Sequence, residues 1–277
     1  MGSGMLRLVF PQWQGSGKRK YVYDGAKLIA GLLPEGAQYE EVPVSLADDI
    51  TLENGIWGYR QISEQLAAAC DVIRKARPDK IFLIGGDCGT EVAPVSYLNK
   101  RYEGDLAVLW LDAHGDLNSP LTSVTRNFHG MPLRLLLGDG DETLLKMSFS
   151  RLSPGQAIMG GLRDLDPPEV EYIEKNRISV LTVGDIEGNV ENAASLIAEK
   201  GFRNLYIHID LDVLDSGKCP WALCPTPDGI DTGALMALLR NLKASLNVVG
   251  ISIVELRPAE DMDIGPLKDL VEIVGDL

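Results

Sequence analysis

Three histidines and four cysteines are all that 277 residues provide, so a site built on nitrogen or sulfur donors has few positions to draw on. The cysteines, Cys70, Cys88, Cys219 and Cys224, show no C-x-x-C spacing. Four thiols in a chain this long make no disulfide framework, and reduced thiols are expected. Long apolar runs are missing too. No window reaches the roughly 20 apolar residues of a membrane span, and no basic-then-apolar leader opens the chain, so a cytoplasmic protein is expected. Positive charge is scarce: 26 Lys and Arg face 40 Asp and Glu, a formal net charge of −14. Nucleic acid is a poor partner for such a chain, because phosphate binding needs clustered cations to displace counterions. A cationic small molecule suits it better, although a charge total does not say where the carboxylates point. Repeats, low-complexity tracts and Pro/Gly-rich linkers are absent as well, which favours one domain.

What is present is ordinary globular material, 45% hydrophobic and 24% charged, enough to bury a sizeable core. Residues 1–4, MGSG, read as an appended remnant ahead of Met5, and 5–277 as a single domain. Short apolar runs read as buried parallel strands at 6–10, 80–86, 106–114, 157–163, 179–183, 204–213 and 248–256. Helical spacing of apolar residues predicts helices over 59–76, 167–175, 190–200, 232–246 and 266–274. Such alternation implies an α/β fold, a mostly parallel sheet covered on both faces. Ligands of such sheets bind in the crevice beyond the carboxyl ends of the strands, so polar residues that close a strand are the ones to question.

Two strands close on acids. The run at 106–114 leads into D112-A-H114-G-D116, and that at 204–213 into H208-I-D210-L-D212-V-L-D215. Side chains two apart in an extended segment share a face, so Asp112, His114 and Asp116 are expected to converge, as are Asp210 and Asp212. Burying adjacent anions costs several kcal/mol each unless a cation compensates them, and no Lys or Arg adjoins the Asp210–Asp212 pair in sequence. A lone D-x-D would read as a capped turn. The two motifs together point to divalent metal, and a hard, oxygen-rich set suits Mn²⁺ better than a structural Zn²⁺. Two ions roughly 3.5–4 Å apart can acidify a water held between them, which makes hydrolysis the natural chemistry.

These motifs, with GGDCGT at 85–90 and VEL at 254–256, resemble the arginase/agmatinase/formiminoglutamase (ureohydrolase) superfamily over roughly residues 80–260. The resemblance implies a three-layer α/β/α sandwich, a binuclear Mn²⁺ site and a trimer or hexamer acting on a small guanidino substrate. It makes Asp112, His114, Asp116, Asp210 and Asp212 metal ligands, with Asp116 also orienting the attacking hydroxide. His129 is similar to the family's proton shuttle, and Glu255 to the glutamate that pairs with the guanidinium. The segment 116–130 resembles arginase rather than agmatinase, which implies that Asn118, Ser123, Thr125 and Asn127 hold a substrate α-carboxylate. Asp166 and Glu169 would meet the α-ammonium group, although Asp166 before Pro167 and Pro168 also reads as a helix N-cap with Glu169 in the first turn. His208 matches no ligand and reads as supporting hydrogen bonding.

One position departs from the family. Where members carry a histidine after GGD, this chain has Cys88. A thiol there loosens the first Mn²⁺, recruits a softer metal or stays protonated and unligated. The same exchange occurs in a branch that resembles Nω-hydroxy-L-arginine amidinohydrolases. The expected reaction is hydrolysis of L-arginine or a close analogue such as Nω-hydroxy-L-arginine to L-ornithine and urea or hydroxyurea. The alternatives are agmatine, guanidino-acid or formiminoglutamate hydrolysis, or a metal-binding homologue that has lost catalysis.

Overall fold

A computed structural model describes residues 4–275; residues 1–3 of the MGSG segment and the last two residues lie outside the described residues. Ten short strands follow one another along the chain: β1 (Met5–Phe10), β2 (Glu40–Glu41), β3 (Leu52–Glu53), β4 (Ile56–Trp57), β5 (Lys80–Gly85), β6 (Leu106–Leu111), β7 (Ala157–Gly160), β8 (Ser179–Leu181), β9 (Asn204–Ile209) and β10 (Asn247–Ile253). Eight of them form one sheet in the order β2-β1-β5-β10-β9-β6-β7-β8, and every pairing in it is parallel. The other two, β3 and β4, make a small antiparallel hairpin.

The helices are α1 (Tyr21–Gly31), α2 (Tyr59–Ala76), α3 (Val92–Arg101), α4 (Pro132–Leu136), α5 (Glu142–Met147), α6 (Pro167–Asn176), α7 (Val183–Gly188), α8 (Val190–Ala198), α9 (Thr232–Ser245) and α10 (Gly265–Gly275). The side-chain alternation of the strands divides the core in two. Leu109, Leu111, Ile207 and Ile209 face α1 and α7 to α10, whereas Val108, Trp110 and Tyr206 face α2 to α5, with Tyr172 and Ile173 of α6 at the margin. The molecule is thus a three-layer α/β/α sandwich. Every residue of β6 and β9 is buried, which is why these strands read as continuous apolar runs rather than alternating ones. Among the described residues no helix is long and apolar enough to cross a membrane.

Several elements differ from the sequence reading. Helices α1, α3, α4, α5 and α7, the hairpin and edge strand β2 were not expected. The predicted strand at 179–183 stops at Leu181, because the Thr182 hydroxyl accepts from Asp185 N at 3.1 Å while Thr182 N donates to the Asp185 carboxylate at 2.8 Å. That reciprocal cap starts α7 at Val183. The expected strands at 106–114, 157–163 and 204–213 likewise end early, at Leu111, Gly160 and Ile209.

The strand ends are held together by close backbone approach. A Cβ at Gly86 would lie 1.9 Å from the Gln12 carbonyl oxygen, and the Gly86 carbonyl accepts from Glu255 N at 2.8 Å. Gly86→Ala is expected to lower stability by about 1–3 kcal/mol, the usual cost of overpacking. Chemical denaturation checks this, and an unshifted midpoint would mean that the chain around Gln12 yields freely.

Candidate metal centre and substrate pocket

The four central strands β5, β10, β9 and β6 are neighbours, and their carboxyl ends deliver Cys88, Glu255, Asp210 and Asp112 to one crevice. Three overlapping sets of donor atoms lie there within 4.8 Å of one another: Cys88, Asp112, Asp116 and His208; Cys88, Asp210 and Glu255; and Asp112, His114 and Asp212. Shared members link the sets, so the four aspartates and one histidine expected to ligate metal occupy one place.

The convergence does not come from strand pleating. The chain leaves β6 at Leu111, and Asp116 takes a left-handed backbone at φ 52°. Likewise β9 ends at Ile209, and residues 211–213 form a 3-10 turn that Asp210 caps by accepting from Asp212 N at 2.8 Å. Glue between the two segments is direct: the Asp212 carboxylate accepts from Ala113 N at 2.9 Å, and its Oδ2 lies 2.9 Å from His114 Nδ1. Glu255, just beyond β10, is also left-handed at φ 66°. Turns, not a shared strand face, bring the acids together.

Electrostatics explains what such a cluster needs. Burial, with Asp112 and Glu169 nearby, drives the Asp116 carboxyl well above its ordinary range. Burial and the carboxylates of Asp212 and Asp112 do the same to Asp210. Asp212 is pushed up to about 7 by burial and Asp112, although His114 opposes the rise. Asp112 alone is held low: burial works against its charge, but the neighbouring imidazoles of His114 and His208 outweigh that cost. His114, its Nδ1 2.9 Å from Asp212 Oδ2, is pulled far above its usual value despite burial. A proton on this imidazole offsets part of the carboxylate charge, and a bound metal would displace it.

Other observations fit a divalent ion. Asp116 Oδ2 is buried without any hydrogen-bond partner, which is costly for a carboxylate oxygen. Arg163 lies close, but its guanidinium donates to the carbonyl oxygens of Asp212, Leu214 and Thr226 at 2.5, 3.2 and 3.0 Å. These donors bind backbone rather than carboxylate, so the negative charge stays uncompensated. Cys88 is fully buried, and burial with Asp116 and Asp210 pushes its thiol well above the ordinary value. The protonated Sγ donates to Asp210 Oδ2 at 3.2 Å.

The remaining expected residues line the same crevice. His129 Nδ1 lies 3.2 Å from Glu255 Oε1. Burial disfavours an imidazolium there, but Glu255 outweighs it and raises His129 overall. Glu255 Oε1 also accepts from Cys88 N at 3.2 Å. Asn118 Nδ2 donates to Asp166 Oδ2 at 2.9 Å. Ser123 accepts from Arg126 N at 3.0 Å and Thr125 from Asn127 N at 3.3 Å, both local turn bonds. Asp166 is indeed the residue before α6. The Glu169 carboxylate accepts from Asp166 N at 2.9 Å and Leu117 N at 3.0 Å, so both of its oxygens serve backbone amides.

Sequence reasoning passed over two residues in or beside this crevice, Arg19 and Asp87, and gave a third, His208, only a supporting part. Arg19 lines the crevice and donates to Cys224 Sγ at 3.7 Å; nothing in the run K18-R19-K20 marks it out. Asp87 is buried, accepts from Gln12 at 2.9 Å and Gly89 N at 2.9 Å, and is pushed up to about 7 by burial and then by Glu255. His208 was read as supporting hydrogen bonding, and its Nδ1 does bond Glu91 Oε1 at 2.9 Å. Its two-residue spacing from Asp210 was the available signal.

The arginase family model matches residues 25–266 of the chain. The arginase of Staphylococcus aureus (strain MRSA252) is 28% identical over 263 residues, covering 89% of this chain and 87% of that protein. Entamoeba histolytica arginase, solved in complex with L-ornithine, superposes with a TM-score of 0.81 at 19% identity, covering 100% of this chain and 99% of its own. Formimidoylglutamase of Bacillus subtilis subsp. subtilis str. 168 superposes with a TM-score of 0.75 at 18% identity, covering 98% and 86%. Identities this low carry the fold and not the substrate.

A pH dependence follows from the raised carboxyls. A group whose folded pKa exceeds its unfolded value stabilises fully below the unfolded value and loses that contribution as pH rises through the folded one. For Asp212 the window runs from 3.8 to about 7, and Asp116 and Asp210 shift in the same direction. The melting temperature of metal-free protein should fall across that window, and added Mn²⁺ should restore it most at the upper end. Melts in chelator and in Mn²⁺ across the range check this, and a metal effect independent of pH would contradict it.

Proposed function

The chain belongs to the arginase family, and from that footing we propose that it hydrolyses the guanidino group of an L-arginine-like amino acid, with Nω-hydroxy-L-arginine favoured over arginine itself. It is a hydrolase of the ureohydrolase kind. The observation that carries the finer reading is that the linked donor sets and the row of neutral donors from Asn118 to Asn127 open onto one crevice. Acids at one end suit a guanidinium over metal, and amide and hydroxyl groups at the other suit a carboxylate.

We assign the metal to Asp112, His114, Asp116, Asp210 and Asp212, with Mn²⁺ the choice that hard oxygen donors favour. Such ions, when bound, supply a water acidified enough to attack at neutral pH. The chain's own residues do the rest. Glu255 pairs with the guanidinium and fixes its carbon. Asp116, with an oxygen free of other partners, orients the attacking water. As water adds to the carbon and the bond to the ornithine nitrogen breaks, that nitrogen takes a proton from His129, whose hold on a proton Glu255 strengthens. Asn118, Ser123, Thr125 and Asn127 hold the α-carboxylate, directly or through water. Asp166 is the better partner for the α-ammonium, since each Glu169 oxygen holds a backbone amide whereas one Asp166 oxygen holds only the Asn118 side chain.

The preference for the hydroxylated substrate rests on Cys88. A thiol that donates to Asp210 offers the first ion no imidazole, and a hydroxyguanidine is less basic and brings an oxygen that can approach that ion. With Mn²⁺ present, kcat/KM should be higher for Nω-hydroxy-L-arginine than for arginine and negligible for agmatine. Release of ornithine, urea and hydroxyurea measures it, and a preference for arginine would remove this assignment. His129→Ala should lower kcat by about 10²–10⁴-fold, the usual span for a lost general acid.

A further inference from the structure

We propose that His208 supplies the nitrogen donor to the first ion that Cys88 does not, making this centre one in which the imidazole comes from inside the sheet. The proposal rests on the metal reading above.

His208 sits in β9 at 0% exposure. An imidazole buried for structure alone would satisfy both ring nitrogens, because an unmet buried polar atom costs about 1–3 kcal/mol. Only one is met here. Nδ1 lies 2.9 Å from Glu91 Oε1, and the other Glu91 oxygen accepts from Tyr206 OH at 2.6 Å. The ring stacks on Trp110, with centroids 3.8 Å apart and planes inclined by 26°. Carboxylate and indole together fix its direction. Nε2 has no hydrogen-bond partner, and Asp112 Oδ2, at 3.7 Å, is beyond a bond.

The free side of this ring belongs to the set that includes Cys88, Asp112 and Asp116, all within 4.8 Å. Metal bonds of about 2.0–2.4 Å place donors at that mutual range. Asp116 contributes a second atom with no partner, Oδ2. Two orphaned donors in one buried set point to the same absent cation. Cys88 Sγ, in contrast, is already engaged with Asp210 at 3.2 Å. A ligating histidine commonly donates its other N–H to a carboxylate, which fixes the tautomer and leaves the second nitrogen for the metal. Glu91 does this for His208. The imidazole thus comes from β9, which β10 separates from the strand that leads to Cys88.

Mn²⁺ binding by the full-length protein tests the assignment, using calorimetry and metal content after dialysis. The wild type should take up two ions, and His208→Asn, which keeps a donor toward Glu91, should weaken one of them by at least about tenfold while sparing the other. Cys88→His in the His208→Asn background should restore that ion. Wild-type affinity for both ions in His208→Asn, or failure of Cys88→His to restore the lost one, would overturn the role of His208 and leave the metal reading intact. Wild-type protein that takes up no Mn²⁺ would overturn both. A readout that needs no variant is pulsed electron paramagnetic resonance of Mn²⁺-loaded wild type with ¹⁵N-histidine. Couplings to two distinct imidazoles, His114 and His208, are expected; coupling to one alone overturns the proposal.

Discussion

Carboxylates buried face to face cannot all keep their charge unless a cation lies among them, and the centre of this molecule is arranged around that demand. Asp112, Asp116, Asp210, Asp212 and Glu255 are each no more than 4% exposed, at the carboxyl ends of adjoining strands. In an apolar interior each bare charge costs several kcal/mol even after relaxation. The chain's own cations do not answer the demand. Arg163 gives its guanidinium to backbone carbonyls, and His114 answers it only by holding a proton. Divalent metal fits because it meets several carboxylates at once.

The same residues that shape the crevice also hold the fold. Glu169 ties the start of α6 to Leu117, so the loop after Asp116 is fixed by the acid that lines its pocket. Arg163 gathers the carbonyls of 212, 214 and 226 around one planar group and so sets the backbone that carries Asp212. Loss of either would loosen the site through its frame and not through its chemistry.

The central strands and the five metal-binding candidates were legible because burial on both faces writes continuous apolar runs, and acids at their ends have few structural explanations. The geometry between them was not legible. Period-2 reasoning brought Asp112 and Asp116, and Asp210 and Asp212, to the right place for the wrong reason, since pleating ends at Leu111 and Ile209 and turns do the work. Helix α3 was hidden behind a 3-10 turn at 88–91 and a proline at its third position. The hairpin and β2 are only two residues per strand, too short for any period to register. His208 was read by analogy as an accessory, and only its unmet nitrogen in three dimensions gives it another role.

Asp116 and Glu255 both hold left-handed backbones, a conformation that costs a side-chain-bearing residue about 1–3 kcal/mol. Glycine would rest there without strain. Glycine at either point would have a downhill path toward a calmer backbone, so each acid is held there against the preference of its own backbone.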